Sequence, residues 1–210
     1  MRFGRRHASH AERSFGAESL PKHLSARLLE RFRPSARVTS VTEIDAAALR
    51  KQGFEGLFVD LDNTLLPWKD WNLPDSSKQW IESAKKAGMK PALVSNTHYP
   101  KRLDHIASEL GIPAIAHSLK PRRHGFEEAA ALVGCELKHA VVVGDQLLTD
   151  TWGGNRVGAY TILVNPVHRR EFVGTKVSRM VERVIFRLLG LPVRQGTNAE
   201  AIKSDNKDTK

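Results

Sequence analysis

Asp60 and Asp62 stand two residues apart where an apolar run, Gly56-Leu57-Phe58-Val59, ends, and Asn63-Thr64-Leu65 follows them. In extended chain, residues i and i+2 point the same way. A strand that stops at Asp60 therefore leaves two carboxylates converging at its C-terminal end, the edge where open α/β sheets bind ligands. Like charges this close repel unless a cation or a shared proton relieves them, which points to Mg²⁺ and phosphate chemistry. Polar groups follow three further apolar runs: Ser95 with Asn96, then Lys120 in His117-Ser118-Leu119-Lys120-Pro121, then Asp145 and Asp150 in Gly144-Asp145-Gln146-Leu147-Leu148-Thr149-Asp150.

Brought to one edge, these residues meet the needs of phosphomonoester chemistry. A carboxylate can attack in line and give an aspartyl phosphate. Mg²⁺ and Lys120 neutralise the phosphoryl charge. Ser95 and backbone amides donate to the non-bridging oxygens, and the second carboxylate supplies the proton that the leaving alkoxide needs.

The elements that must position them follow from the apolar periodicity. Strands are expected at 56–60, 91–95, 113–117, 140–144 and 160–164, with helices at 75–87, 100–110, 124–133 and 149–157. Near-continuous apolar strands belong to a sheet covered on both faces. Strict β/α alternation implies parallel strands with right-handed crossovers. Gly88, Gly111, Gly134 and Gly158 fall where helix C-caps are expected. Two short helices, 23–33 and 43–52, precede the first strand, and Leu24, Leu28 and Phe32 share a face of the first. A longer amphipathic helix follows at 176–189. Its apolar face is read as Val177, Val181, Val184 and Leu188, widened by Met180, Ile185 and Leu189, and Arg179, Arg183 and Arg187 form a basic stripe. This helix has two readings, an ordinary terminal helix packed on the sheet or one that also lies on anionic lipid.

The chain of 210 residues suits one domain, with a basic extension over 1–22, the domain proper over 23–190 and a polar tail over 191–210. Net charge is +10, divided as +6 over residues 1–40, −1 over 41–165 and +5 over 166–210. A neutral centre with basic flanks fits an anionic membrane surface or nucleic acid, and equally a solubilising tail. The single cysteine, Cys135, excludes an intrachain disulfide. No apolar run approaches the roughly 20 residues of a membrane span, and the N-terminus has no apolar signal segment. The Arg-rich first 19 residues resemble an organelle transit peptide only slightly. The expected location is the cytoplasm, peripheral on the inner face of a membrane.

The four motifs, in this order and each after a strand, resemble the haloacid dehalogenase (HAD) superfamily of aspartate-nucleophile phosphatases. Asp60–Leu65, Val94-Ser95-Asn96, Ala116–Pro121 and Val143–Asp150, with Arg31–Pro34 upstream and Thr161–Val164 downstream, are more closely similar to its YqeG family of type IIIA phosphatases, over about residues 25–190. Thr97 departs from that pattern, where Asn is more usual. The resemblance implies a Rossmann-like, five-stranded parallel sheet with helices on both faces. It implies Asp60 as nucleophile and Asp62 as general acid and base. Mg²⁺ would lie on Asp60, Asp145 and the Asp62 backbone carbonyl, with Thr64 and Asp150 in support, and Ser95, Asn96 and Lys120 would hold the phosphoryl group. The related phosphatidylglycerophosphate phosphatases make a lipid-borne phosphomonoester the expected substrate, with a protein or nucleotide phosphate as the alternative. Too few residues separate Asp62 from the helix at 75, or Ser95 from the helix at 100, to hold a cap domain.

Two other classes compete with an enzyme. A signalling receiver also gathers Asp, Ser/Thr and Lys around Mg²⁺, but its acid pair precedes the phosphoacceptor strand, whereas Asp60 and Asp62 share one strand here. A nucleic-acid adaptor on a vestigial core is compatible with basic ends but not with filled catalytic positions, so no stable nucleic-acid partner is expected. Trp68 and Trp71 suit either lipid contact or loop packing. Arg122 and Arg123 suit either a second phosphate or a solvated helix start. Gly153–Gly158 mimics a dinucleotide fingerprint but follows a helix rather than a strand. The nine histidines show no ligand spacing, so no zinc is expected.

Overall fold

In a computed structural model the fold is described for residues 27–168 and 173–193, without the side chains of 173–177. The expected basic extension, Leu24 and the tail beyond 193 lie outside these residues. One helical turn at 27–30 leads into β1 (Ala36–Val38), α1 (Ala46–Lys51), β2 (Gly56–Val59), α2 (Asp75–Lys86), β3 (Lys90–Val94), α3 (Pro100–Leu110), β4 (Ala114–Ile115), α4 (His124–Val133), β5 (Ala140–Gly144), α5 (Trp152–Arg156), β6 (Tyr160–Val164) and α6 (Val173–Leu188).

All strands pair in parallel, in the order β1-β6-β5-β2-β3-β4. The sheet therefore has six strands, not the expected five. The missed strand, Ala36-Arg37-Val38, is only three residues long and carries an arginine at its centre, so no apolar run marks it. Arg37 is buried there, with its guanidinium 4.9 Å from the Phe186 ring. Parallel pairing with β6, Ala36 beside Ile162 and Val38 beside Val164, makes this segment a strand.

Alternation along the strands builds two cores. Leu57, Val59, Val141, Val143, Ile162 and Val164 face α1, α2 and α3, whose Leu49, Trp80, Ile81, Leu103 and Ile106 cover them. Phe58, Ala92, Val94 and Val142 face the opposite way, onto Phe126, Ala129 and Ala130 of α4. The strands are buried on both faces, as parallel sheets are.

The predicted cap glycines hold. Gly111 and Gly134 end α3 and α4 in the left-handed region, at φ 61° and 65°. The mock dinucleotide glycines serve close packing instead. A Cβ on Gly154 would come within 2.6 Å of Thr161 Cγ2, and one on Gly153 within 2.8 Å of Phe126.

Each of the two terminal helices buries only part of its expected face. Leu28 is exposed, while Leu29 and Phe32 pack inward. On α6, Ile185, Phe186 and Leu189 are buried with Leu147 and Leu163. Ile185 and Leu189 lie on the widened side of the expected apolar face, whereas its centre is turned to solvent, with Met180 62%, Val184 52% and Leu188 63% exposed. Glu182 and Arg179, one turn apart, decide the rotation by reaching polar partners in the body of the protein. Among the described residues no helix is long and apolar enough to cross a membrane.

Candidate active site

β2 neighbours β3 on one side and β5 on the other, and the chain runs outward from β2 in both directions. This is the topological switch point, outside whose strand ends open α/β sheets bind ligands. Asp60 continues β2, Asp145 continues β5 and Ser95 continues β3. The register sets Val59 beside Val143, and Asp60 N donates to Val143 O at 2.9 Å, so the two aspartates leave the sheet at one level. Above them lies a cavity of about 430 Å³ lined by Asp60, Asp62, Ser95, Asn96, Lys120 and Thr149 among others.

Lys120 is the hub. Its Nζ donates to Asp60 Oδ1 at 2.6 Å, to Asp150 Oδ1 at 2.7 Å and to Val94 O at 2.7 Å, which uses all three ammonium hydrogens. Its backbone is clamped by Asn96. The Asn96 Oδ1 accepts from Lys120 N at 2.8 Å and from Ser118 Oγ at 2.9 Å, while Nδ2 donates to Lys120 O at 2.9 Å. Both ends of the amide, expected on the phosphoryl group, are thus engaged in holding Lys120. Ser95 Oγ accepts from Thr97 N at 3.2 Å and remains on the cavity wall.

Carboxylate oxygens of Asp60, Asp145 and Asp150 lie within 4.8 Å of one another, all three residues buried. Asp150 Oδ2 accepts from Gln146 N at 3.1 Å, and Thr64 Oγ1 donates to Asp145 Oδ1 at 3.5 Å. Asp150 reaches in because residue 144 is glycine, since a Cβ there would sit 2.2 Å from Asp150 Cγ. The chain between β5 and α5, expected as plain helix, is a π-helical turn at Leu147–Thr151, which turns Asp150 inward.

Burial raises the Asp60 carboxyl to about 7, with Lys120 opposing and the Asp150 and Asp62 charges reinforcing. Burial likewise lifts Asp145 well above the carboxylate range, against the pull of Arg179. Burial alone would depress Lys120, but Asp150 and Asp60 more than reverse this and hold it above the lysine range.

Three residues not read from the sequence complete the site. Arg102, on α3, is buried and donates to Asp62 Oδ1 and, at 2.8 Å, to Asp70 O. Arg179, on α6, donates to Asp145 Oδ2, to Asp145 O at 2.5 Å and to Glu182 Oε2 at 3.0 Å. It is therefore a site residue and not the first member of an exposed stripe. Glu182 Oε1 accepts from Leu148 N at 3.3 Å. The signal was present in the pattern: Arg102 shares a face with Ile106 and Leu110, and Glu182 with Ile185, Phe186 and Leu189. A charged residue on an apolar stripe needs a buried partner.

Among the described residues the carboxyl groups of Asp60, Asp145, Asp150 and Glu182 pair with Lys120 and Arg179, a surplus of carboxyls over cations in a buried cluster. Clustered carboxylate oxygens with that surplus fit a hard divalent cation.

Segments 60–74 and 95–99 carry no further element beyond an isolated bridge between Asp62 and Leu66, so no cap covers the cavity from either. Trp68 lines the cavity, whereas Trp71 stacks on His105 at 5.8 Å. Arg123 pairs with Glu127 at 2.9 Å at a solvated helix start.

The chain is similar to known phosphatases. A HAD-hydrolase-like family model matches residues 117–174. The probable phosphatase YqeG of Bacillus subtilis (strain 168) is 37% identical over 158 residues, 75% of this chain and 91% of that one. The chloroplastic/mitochondrial phosphatidylglycerophosphate phosphatase 1 of Arabidopsis thaliana is 30% identical over 78% of this chain, which spans 49% of the plant protein. The chloroplastic phosphatidylglycerophosphate phosphatase 1 of Chlamydomonas reinhardtii is 32% identical over 71% of this chain and 59% of its own length. With aspartates, serine and lysine gathered at the switch point and the likeness to YqeG running along nearly all of that protein, this chain belongs to the YqeG family of HAD-type phosphatases.

Proposed function

We propose that the chain is a Mg²⁺-dependent phosphomonoester hydrolase that forms an aspartyl phosphate on Asp60 and converts phosphatidylglycerophosphate to phosphatidylglycerol. The observation that carries the reaction is the Lys120 hub, which fixes Asp60 at 2.6 Å beside two further buried carboxylates.

Lys120 takes Asp60 Oδ1, and among the described residues Oδ2 accepts no hydrogen bond. Oδ2 is the attacking atom. It bonds to phosphorus in line as the bond to the leaving oxygen breaks, and Asp62 gives that oxygen its proton. Water then attacks the aspartyl phosphate, Asp62 takes its proton, and phosphate leaves with Asp60 restored. Arg102 holds one Asp62 oxygen and so orients the other. Ser95 donates to a phosphoryl oxygen, and Lys120, its hydrogens held by Asp60, Asp150 and Val94 O, supplies its charge beside the phosphoryl group. Asp60, Asp145 and the Asp62 carbonyl would hold Mg²⁺, which when bound neutralises the phosphoryl charge.

The lipid substrate is supported by the names of the plant and algal relatives and by the uncapped cavity. The exposed Met180-Val181-Val184-Leu188 face of α6, flanked by exposed Arg183 and Arg187, suits peripheral contact with anionic lipid on the inner face of a membrane. Ser178, on the same helix, lines the cavity.

The test is phosphate release from a panel of phospholipid, sugar, nucleotide and phosphopeptide monoesters, with and without chelator. Phosphatidylglycerophosphate is expected to lead, with Mg²⁺ restoring activity after chelation and Ca²⁺ failing to. Asp60→Asn is expected to fold and to be inert on every monoester. Turnover by that variant contradicts the covalent route, and a leading nucleotide or phosphopeptide contradicts the lipid substrate.

A further inference from the structure

The cavity is much larger than one phosphoryl group requires, and its outer wall is built from Trp68, Lys69, His98 and Tyr99. The cations nearest the reacting carboxylates are consumed: Lys120 by Asp60 and Asp150, Arg102 by Asp62, Arg179 by Asp145 and Glu182. Lys69 is different. Among the described residues it meets no carboxylate, and its Nζ lies 4.4 Å from the Trp68 ring centroid and 5.8 Å from that of Tyr99. Two aromatic faces thus hold an ammonium at the rim without neutralising it.

The backbone at Lys69 points the same way. Asp70 N donates to Pro67 O at 3.0 Å, closing a turn in which Lys69 is the third residue, at φ 64°. That position of a type II turn favours glycine. The turn is tied down from beneath, because Arg102 donates to Asp70 O and Trp68 N donates to Asn63 Oδ1 at 3.4 Å. Two aromatic contacts are what folding gains from a long cationic side chain at this glycine position, and the ammonium they hold stays charged on an anchored turn over a reaction cavity.

We propose that Lys69 sets substrate specificity by binding a second anionic group, a phosphodiester or a second phosphate carried one short polyol away from the scissile monoester. This rests on the phosphatase reading and narrows its substrate class. Phosphatidylglycerophosphate and a free bisphosphate share this chemistry, and the assay separates them.

The readout is the ratio of kcat/KM for glycerol 1,3-bisphosphate to that for glycerol 1-phosphate, measured with Mg²⁺ on wild type, Lys69→Gly and Lys69→Gln. Short-chain phosphatidylglycerophosphate is assayed alongside. Wild type is expected to favour the bisphosphate, and both variants to lose about five- to tenfold of that ratio, mainly through KM, as suits one charge-assisted contact. Lys69→Gly is expected to melt no lower than wild type, which separates binding from folding. A wild-type ratio at or below one overturns the proposal, as does a ratio unchanged in the variants. Loss confined to the lipid also overturns it, by assigning Lys69 to the bilayer. Wild type idle on the lipid, with a Lys69-dependent ratio on the soluble pair, would discard phosphatidylglycerophosphate and leave the subsite standing.

Discussion

Arg179 grips both the carboxylate and the backbone carbonyl of Asp145 from a helix 34 residues further along the chain. The helix that closes the fold is thereby tied to the carboxylate cluster, and its rotation is set by the site. Arg179→Gln leaves Asp145 and Glu182 as buried carboxylates without their cation, and breaking such a pair costs about 3–5 kcal/mol. We expect a lower melting temperature and at least about a tenfold loss of turnover on p-nitrophenyl phosphate. Wild-type turnover of that soluble substrate by Arg179→Gln would show that the contact is dispensable to the site.

Arg183 and Arg187 behave oppositely, because both are exposed. A basic residue near an anionic leaflet contributes about 1 kcal/mol, so Arg183→Gln with Arg187→Gln is expected to weaken vesicle partitioning by roughly thirtyfold. Turnover of p-nitrophenyl phosphate is expected to persist. Sedimentation with vesicles rich in anionic lipid, at low and high salt, checks this, and unchanged partitioning removes the membrane role of α6.

Gly144→Ala tests the approach of Asp150. The added methyl would lie 2.2 Å from Asp150 Cγ, so the π-helical turn must shift and Lys120 loses a partner. Overpacking of this kind costs about 1–3 kcal/mol. Lower thermal stability together with lost turnover is expected, and an unperturbed melt would mean that the turn yields freely.

Metal-free protein is expected to lose stability as pH rises from about 4 through about 7. The Asp60 carboxyl is raised from 3.8 to about 7 by burial, so the folded state holds a proton that the unfolded chain has released. That difference disfavours folding increasingly across this window and is complete above about 7. Thermal melts under chelator at pH 5 and pH 8 measure it. Saturating Mg²⁺ is expected to stabilise the pH 8 sample more than the pH 5 sample, and a chelated protein that melts higher at pH 8 contradicts the assignment.

The sequence by itself determined that strands β2 to β6 exist, because each is an apolar run of limited length bounded by turn residues, but not all their ends: β4, expected over 113–117, is only Ala114–Ile115. Asp60, Asp62, Ser95 and Asp145 were legible as candidates because reactive groups at the ends of buried strands have few structural roles, and Lys120 and Asp150 because they stand in the segments that follow β4 and β5. Tertiary structure decided the rest. It made a strand of Ala36-Arg37-Val38, whose arginine is paired with Phe186 across the length of the chain. It gave Asn96 to the Lys120 backbone and brought Arg102 onto Asp62 and Arg179 onto Asp145. On α6 the sequence shows one broad apolar face, centred on Val181 and Val184 and widened to Ile185 and Leu189. The fold buries its Ile185 and Leu189 edge with Phe186, where Arg179 and Glu182 reach their polar partners. Periodicity records which residues share a face, but a buried charge is stabilised by a partner distant in sequence, and only the folded chain identifies it.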